Sequence, residues 1–155
     1  MPVILFVCTA NLFRSPMAAA IFCDHVLKSG HQNSWQVVSA GLVAPAGQPV
    51  PVLVQQAMLE RGLDIGSHVC QAVTRELLEQ SDLVLVMEKR QQEILRMHHP
   101  DLAERIALLS EMAGLSYDIA DPNHNSLASI QATAKDIDSL LKRGMKDIAM
   151  RVDHA

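Results

Sequence analysis

The sequence predicts an α/β protein built on a parallel sheet, and three observations predict it. Apolar runs recur at 3–7 and 83–87, and they are continuous rather than alternating, as in strands buried on both faces. Stretches with helical spacing of apolar residues lie between such runs. Breakers fall between the elements, at Gly30, at Pro45, Gly47, Pro49 and Pro51, and at Gly62. Strand–helix alternation of this kind closes a parallel sheet through right-handed crossovers.

Each element has a local reason. The β-branched run 3–7 is the first strand and carries Cys8 to its C-terminal end; a short loop leads to Arg14, Ser15 and Pro16. The alanine-rich stretch 16–29 is a helix that stops at Ser29-Gly30, and 35–39 is a short second strand. Residues 42–51 are a loop, and a helix over about 50–61 ends at Gly62. A short helix is predicted over 74–80, with Thr74 as its cap and acidic residues in its first turn. The run 83–87 is the third strand, 89–98 a helix, 106–109 the fourth strand. The last helix covers about 126–145, with Ile130, Ala134, Ile137, Leu140 and Leu141 on one face.

Composition bounds what this fold can do. A chain of 155 residues suits one domain, taken as 1–155, and one core. Its hydrophobic fraction of 49% contains no apolar run long enough to span a bilayer. No basic segment precedes the first apolar run, which is too short for a signal peptide, so a cytoplasmic protein is expected. The net charge of −4 argues against nucleic-acid binding. Cys8, Cys23 and Cys70 have no paired spacing, so reduced thiols are expected, with neither disulfide nor zinc. His98, His99 and His124 stand without ligand spacing and read as surface residues; no metal and no cofactor are expected.

The chemistry concentrates in residues 8–16, Cys-Thr-Ala-Asn-Leu-Phe-Arg-Ser-Pro. In an open α/β sheet, ligands sit beyond the carboxyl ends of the strands, where helix N-termini present free N–H groups. A thiol, a guanidinium and backbone amides around one point suit a tetrahedral oxyanion. The amides of Thr9, Ala10, Asn11, Leu12, Phe13, Arg14 and Ser15 would surround it. Arg14 offers a planar fork that matches two phosphoryl oxygens and stays charged. A helix N-terminus beside a guanidinium lowers a Cys pKa from about 8.5 to roughly 3.5–7.5, and the thiolate is the nucleophile. The Ser15 hydroxyl can donate to Cys8, and Asn11 suits a left-handed position in mid-loop. Pro16 lies in the first helical turn, where its missing N–H costs nothing.

This segment resembles the signature of the low-molecular-weight protein tyrosine phosphatases. The resemblance extends through Val38-Ser39-Ala40-Gly41, Gly47-Gln48-Pro49, Arg61-Gly62-Leu63-Asp64, Ser67-His68, the Asp82 to Glu88 run, and Tyr117-Asp118-Ile119-Ala120-Asp121-Pro122. These blocks occur in the family's order, over roughly residues 3–147. The resemblance implies a three-layer sandwich around a four-stranded parallel sheet of order 2-1-3-4. It implies a phosphomonoester hydrolase with Cys8 as nucleophile, Arg14 on the phosphoryl group and Asp121 as general acid, then base. Taken by itself, Asp121-Pro122 also suits a turn or cap ahead of the helix. Asp118 competes for the acid role but lacks the following proline. Asn11, Ser15, Ser39 and His68 match positions of a supporting hydrogen-bond network. Phosphorylated protein or a small aryl phosphate is the implied partner.

Several positions depart from the family's pattern. Ala10 replaces a glycine, so its φ is negative or the backbone strained. Phe13 replaces a second cysteine, and Gln71-Ala72 an Arg-Gln pair. Asn123 and His124 stand where tyrosines wall the pocket, and aromatic residues are only 3% of the chain. A shallower pocket follows, because ring sandwiching supports phosphotyrosine binding. An arsenate reductase would need further thiols near Cys70, and a non-catalytic oxyanion-binding module is the third reading. A phosphoarginine substrate suits Leu12 less well than an aryl group does, since Leu12 gives an apolar rim. Oligomeric state is not legible in the sequence.

Overall fold

A computed structural model describes residues 1–31 and 34–153. Four strands, β1 (Val3–Cys8), β2 (Gln36–Gly41), β3 (Leu83–Val86) and β4 (Ile106–Leu108), form one sheet of order β2-β1-β3-β4. All three pairings are parallel, and β1 sits in the middle, with Cys8 opposite Gly41 at its carboxyl end. The central runs are apolar on both sides because both faces are covered. Helices α1 (Arg14–Lys28), α2 (Val52–Leu59) and α5 (Leu127–Asp153) pack against Ile4, Phe6, Leu83 and Leu85. On the other face, α3 (Arg75–Gln80) and α4 (Lys89–His98) place Leu78 and Leu95 against Leu5, Val7, Val84 and Val86. The three layers and the strand order are those the sequence implies.

The interior helices match their predicted bounds most closely. Thr74 caps α3 by accepting the Leu77 N–H at 3.1 Å. Glu88 and Gln91 form a reciprocal capping box at the start of α4. Differences of two residues or more lie at the ends of three helices, and α2 covers 52–59 within the predicted 50–61. Helix α1 begins two residues before the predicted 16, at Arg14, with Phe13 as its cap. Pro16 is tolerated there because the first four N–H groups of a helix have no internal partner. Arg14 and Ser15 are thereby fixed by helical geometry rather than carried on a loose loop. Helix α5 runs past the predicted 145 to Asp153, burying Ile148 and Val152. Within it, a Cβ at Gly144 would lie 2.8 Å from that of Met112, so the glycine permits close packing. Strand β2 likewise continues to Gly41, two residues beyond the predicted 39. No described helix is long and apolar enough to cross a membrane.

Candidate active site

The segment between β1 and α1 turns sharply, and Asn11 makes the turn. It has φ of 60°, and no other described non-glycine residue has a positive φ. Ala10 therefore stands at negative φ, so replacing glycine there introduces no left-handed strain. The Asn11 side chain is fully buried and fully used. Its amide donates to Ser15 Oγ at 2.8 Å and to Ser39 Oγ at 2.9 Å. Its Oδ1 accepts the Gln71 N–H at 3.0 Å.

Beneath this turn lies the thiol. Cys8 Sγ is 3.0 Å from Ser15 Oγ, which also lies 3.3 Å from the Ala40 carbonyl. Asn11 already occupies one acceptor position of Ser15, so its single O–H proton goes either to sulfur or to Ala40. With a thiolate at Cys8 it goes to sulfur; with a thiol, Cys8 can donate to Ser15 instead. Among the described residues, no backbone N–H of residues 10–15 donates to a protein acceptor. Those amides surround the N-terminus of α1, where an anion is favoured.

Arg14 is buried beside the thiol and held by three groups. Its Nη1 donates to the Ile119 carbonyl at 2.8 Å and lies 3.2 Å from Glu88 Oε2. Its Nε lies 3.7 Å from Asp121 Oδ1 and makes no hydrogen bond. The structure thus sets Asp121 beside Arg14. Asp118 is occupied elsewhere, since its carboxylate accepts the Lys89 N–H at the start of α4 at 2.8 Å.

Of the four predicted supporting residues, Asn11, Ser15 and Ser39 are joined by side-chain hydrogen bonds, whereas His68 faces the Asn11 backbone. His68 packs nearby with Nε2 buried and without a partner. Burial pushes its pKa below the usual value, against an opposing pull from the Asn11 backbone. Gln71 takes the connecting place instead, its side chain donating to the Ser39 carbonyl at 3.0 Å.

Four further residues at the site were given no role by the sequence reading. A Cβ on Gly41 would sit 2.8 Å from Thr9 O, Ala10 C and Asn11 N, so the phosphate loop rests directly on this glycine. Its sequence signals were its place in the Val38-Ser39-Ala40-Gly41 block and at the end of a strand. Glu88 pairs with Arg14, and buried Gln91 ties Glu88 Oε2 (3.0 Å) to Thr9 Oγ1 (3.2 Å). His124, read from the sequence as a surface residue, is half exposed, yet its Nε2 is 2.9 Å from Asp121 Oδ2. Its ring stacks on Phe13, with centroids 3.9 Å apart. A cleft of about 670 Å³ lined by Asp82, Asp101, Glu104, Arg105 and Arg151 lies at the amino end of β3, remote from the thiol.

Fold and site together define a cysteine-based phosphatase, with a thiol at a strand end under an amide loop and a buried guanidinium. The chain belongs to the low molecular weight phosphotyrosine protein phosphatase family, whose model matches residues 3–153. It is similar to "Probable low molecular weight protein-tyrosine-phosphatase EpsP" of Ralstonia nicotianae, at 32% identity over 92% of this chain and 90% of that one. It is also similar to a protein-arginine-phosphatase of Bacillus subtilis, at 33% identity over 94% of this chain and 95% of that one. The solved low molecular weight protein tyrosine phosphatase from T. tengcongensis superposes with a TM-score of 0.88 at 32% identity, covering 95% of this chain and 99% of that one.

Proposed function

We propose that this chain is a single-domain, cytoplasmic protein-tyrosine-phosphatase that works through a thiol-phosphate on Cys8. The observation that carries the reading is the buried Cys8 sulfur, 3.0 Å from Ser15 Oγ at the mouth of α1, with buried Arg14 alongside. The substrate phosphoryl group sits among the amides of residues 10–15, with Arg14 turned from its carboxylate partners onto two phosphoryl oxygens. Cys8 thiolate attacks phosphorus, an S–P bond forms and the P–O bond to the tyrosyl oxygen breaks. Asp121 gives its proton to that oxygen. Water then attacks the thiol-phosphate, Asp121 takes a proton from it, and the S–P bond breaks to release phosphate. Ser15 stabilises the thiolate both as nucleophile and as leaving group.

Leu12, a partly buried apolar side chain of the phosphate loop, supports an aryl ester over a guanidinium phosphate. The remaining thiols give no support to arsenate reduction. Cys23 is exposed on α1, and buried Cys70 donates to the Pro45 carbonyl at 2.6 Å.

The test is hydrolysis of phosphotyrosine and phosphoarginine peptides by wild type and Cys8→Ser. Turnover of the phosphotyrosine peptide is expected, and Cys8→Ser loses it while still binding inorganic phosphate. Faster phosphoarginine hydrolysis would overturn the substrate class. Near wild-type turnover by Cys8→Ser would overturn the chemistry.

A further inference from the structure

Two loops meet above the site, and one side chain joins them. Phe13 belongs to the phosphate loop and is buried on its core side, so only its outer face is available. The His124 ring lies flat on that face, 3.9 Å between centroids and 14° from parallel. From there Nε2 reaches Asp121 Oδ2 at 2.9 Å. The acid loop is itself pinned by Asn123, whose N–H donates to Ser129 Oγ at 2.9 Å. The Asn123 Oδ1 accepts the Asn125 N–H at 3.0 Å. Ser126 then caps α5, its Oγ accepting the Ser129 N–H at 3.1 Å. His124 thus leaves a fixed turn and rests on a fixed ring.

We propose that His124 is the positioning residue for Asp121: clamped on Phe13, its Nε2–H holds Oδ2, so that Oδ1 faces Arg14 and the phosphate loop. This rests on the reading of Asp121 as the general acid. Both the imidazolium and the neutral tautomer protonated on Nε2 can donate this bond. The half-exposed carboxyl of Asp121 would otherwise rotate about its last torsion, which is broad for this side chain. Fixing it keeps the proton on Oδ1, in line with the departing oxygen. As the P–O bond breaks, that proton passes from Oδ1 to the leaving oxygen, and the new carboxylate charge is met by the His124 N–H at Oδ2. The stack and the hydrogen bond come from one ring, so two substitutions separate them. His124→Phe keeps a ring on Phe13 and loses the donor; His124→Gln keeps a donor and loses the stack.

The experiment measures kcat/KM for phenyl phosphate and for p-nitrophenyl phosphate, whose leaving group hardly needs a proton. Wild type, His124→Phe, His124→Gln and Asp121→Asn are compared, with inhibition by inorganic phosphate as a measure of the loop. His124→Phe is expected to lose roughly tenfold on phenyl phosphate and little on the nitrophenyl ester. Phosphate inhibition should be unchanged, and His124→Gln should recover most of the loss. Equal losses by His124→Phe on both esters, or none, while Asp121→Asn is selective, would overturn the positioning role and leave Asp121 as the acid. If Asp121→Asn shows no selectivity for the poorer leaving group, the acid assignment fails and the positioning role fails with it.

Discussion

Asn11 has no neutral replacement, because its backbone and its side chain are both committed. Its φ of 60° falls where asparagine is tolerated better than most residues, and its amide satisfies Ser15, Ser39 and the Gln71 N–H at once. Asn11→Ala loses those bonds and strains the turn; Asn11→Gly loses the bonds but relieves the turn. Each unsatisfied buried group costs about 1–3 kcal/mol. Urea unfolding should rank wild type, then Asn11→Gly, then Asn11→Ala, with both variants losing at least tenfold in kcat/KM because the loop amides lose their support. Equal stability of all three would mean that the turn holds itself. Arg14 is held in the same way: a buried guanidinium without partners would carry a large penalty, and Glu88 with the Ile119 carbonyl offsets part of it at Nη1.

Strand β2 sets the height of the phosphate loop. The backbone of Thr9, Ala10 and Asn11 crosses the position that a Gly41 side chain would fill. Gly41→Ala must therefore lift the loop or bend the strand, although Gly41 does not itself need a left-handed backbone. The expected outcome is a loss of about a hundredfold in kcat/KM, with phosphate inhibition weakened in parallel; an active Gly41→Ala enzyme would show that the loop is free to shift. This contact also marks where the sequence stops being readable. Strands β1 and β3 and helices α3 and α4 were legible because their apolar runs and caps are local signals. The Cys8–Arg14–Ser15 cluster was legible for the same reason, since one strand–loop–helix unit carries all of it. The end of α5 was not, because the apolar face read from the sequence stops at Leu141, and Ile148 and Val152 count as core only once the helix packs. Glu88 and Gln91 reach the site across long sequence separations, and the contact of His124 with Asp121 and Phe13 depends on a fold-back of its own loop, so the partners of these side chains are not written in their neighbours. Within the predicted network His68 Nε2 has no partner among the described residues, and Gln71, set aside as a departure, makes the links to Asn11 and Ser39.

Across the whole molecule, Asp138 ties together the helical layer that carries α1 and so the site. On α5 it accepts from His25 of α1 at 2.6 Å and pairs with Arg61, just past α2, and with Lys142 at 3.6 Å. Burial alone would raise its pKa, but the His25 hydrogen bond and the charges of Arg61, His25 and Lys142 outweigh that and hold it below the usual carboxylate range. A carboxyl depressed in the fold stabilises above its unfolded pKa, about 3.9, and that stability is lost as pH falls through the lower folded value. His68 acts in a second window. Its folded pKa is depressed by burial, so stability is full above the unfolded value of about 6.5 and declines as the pH falls below it. Tm should therefore fall with acid in two stages; His68→Gln should flatten the upper stage and Asp138→Asn the lower, with Asp138→Asn costing about 1–3 kcal/mol near neutral pH. Curves parallel to wild type would exclude both groups. The central claim, that this scaffold exists to present Cys8 to a phosphoryl group, is tested most directly by rapid acid quench during turnover of p-nitrophenyl phosphate, followed by mass spectrometry of the Cys8 peptide. One phosphoryl group on Cys8 is expected, formed within the first turnover and absent from Cys8→Ser; steady turnover with an unmodified Cys8 peptide, or the phosphoryl group on another residue, would contradict a Cys8 nucleophile.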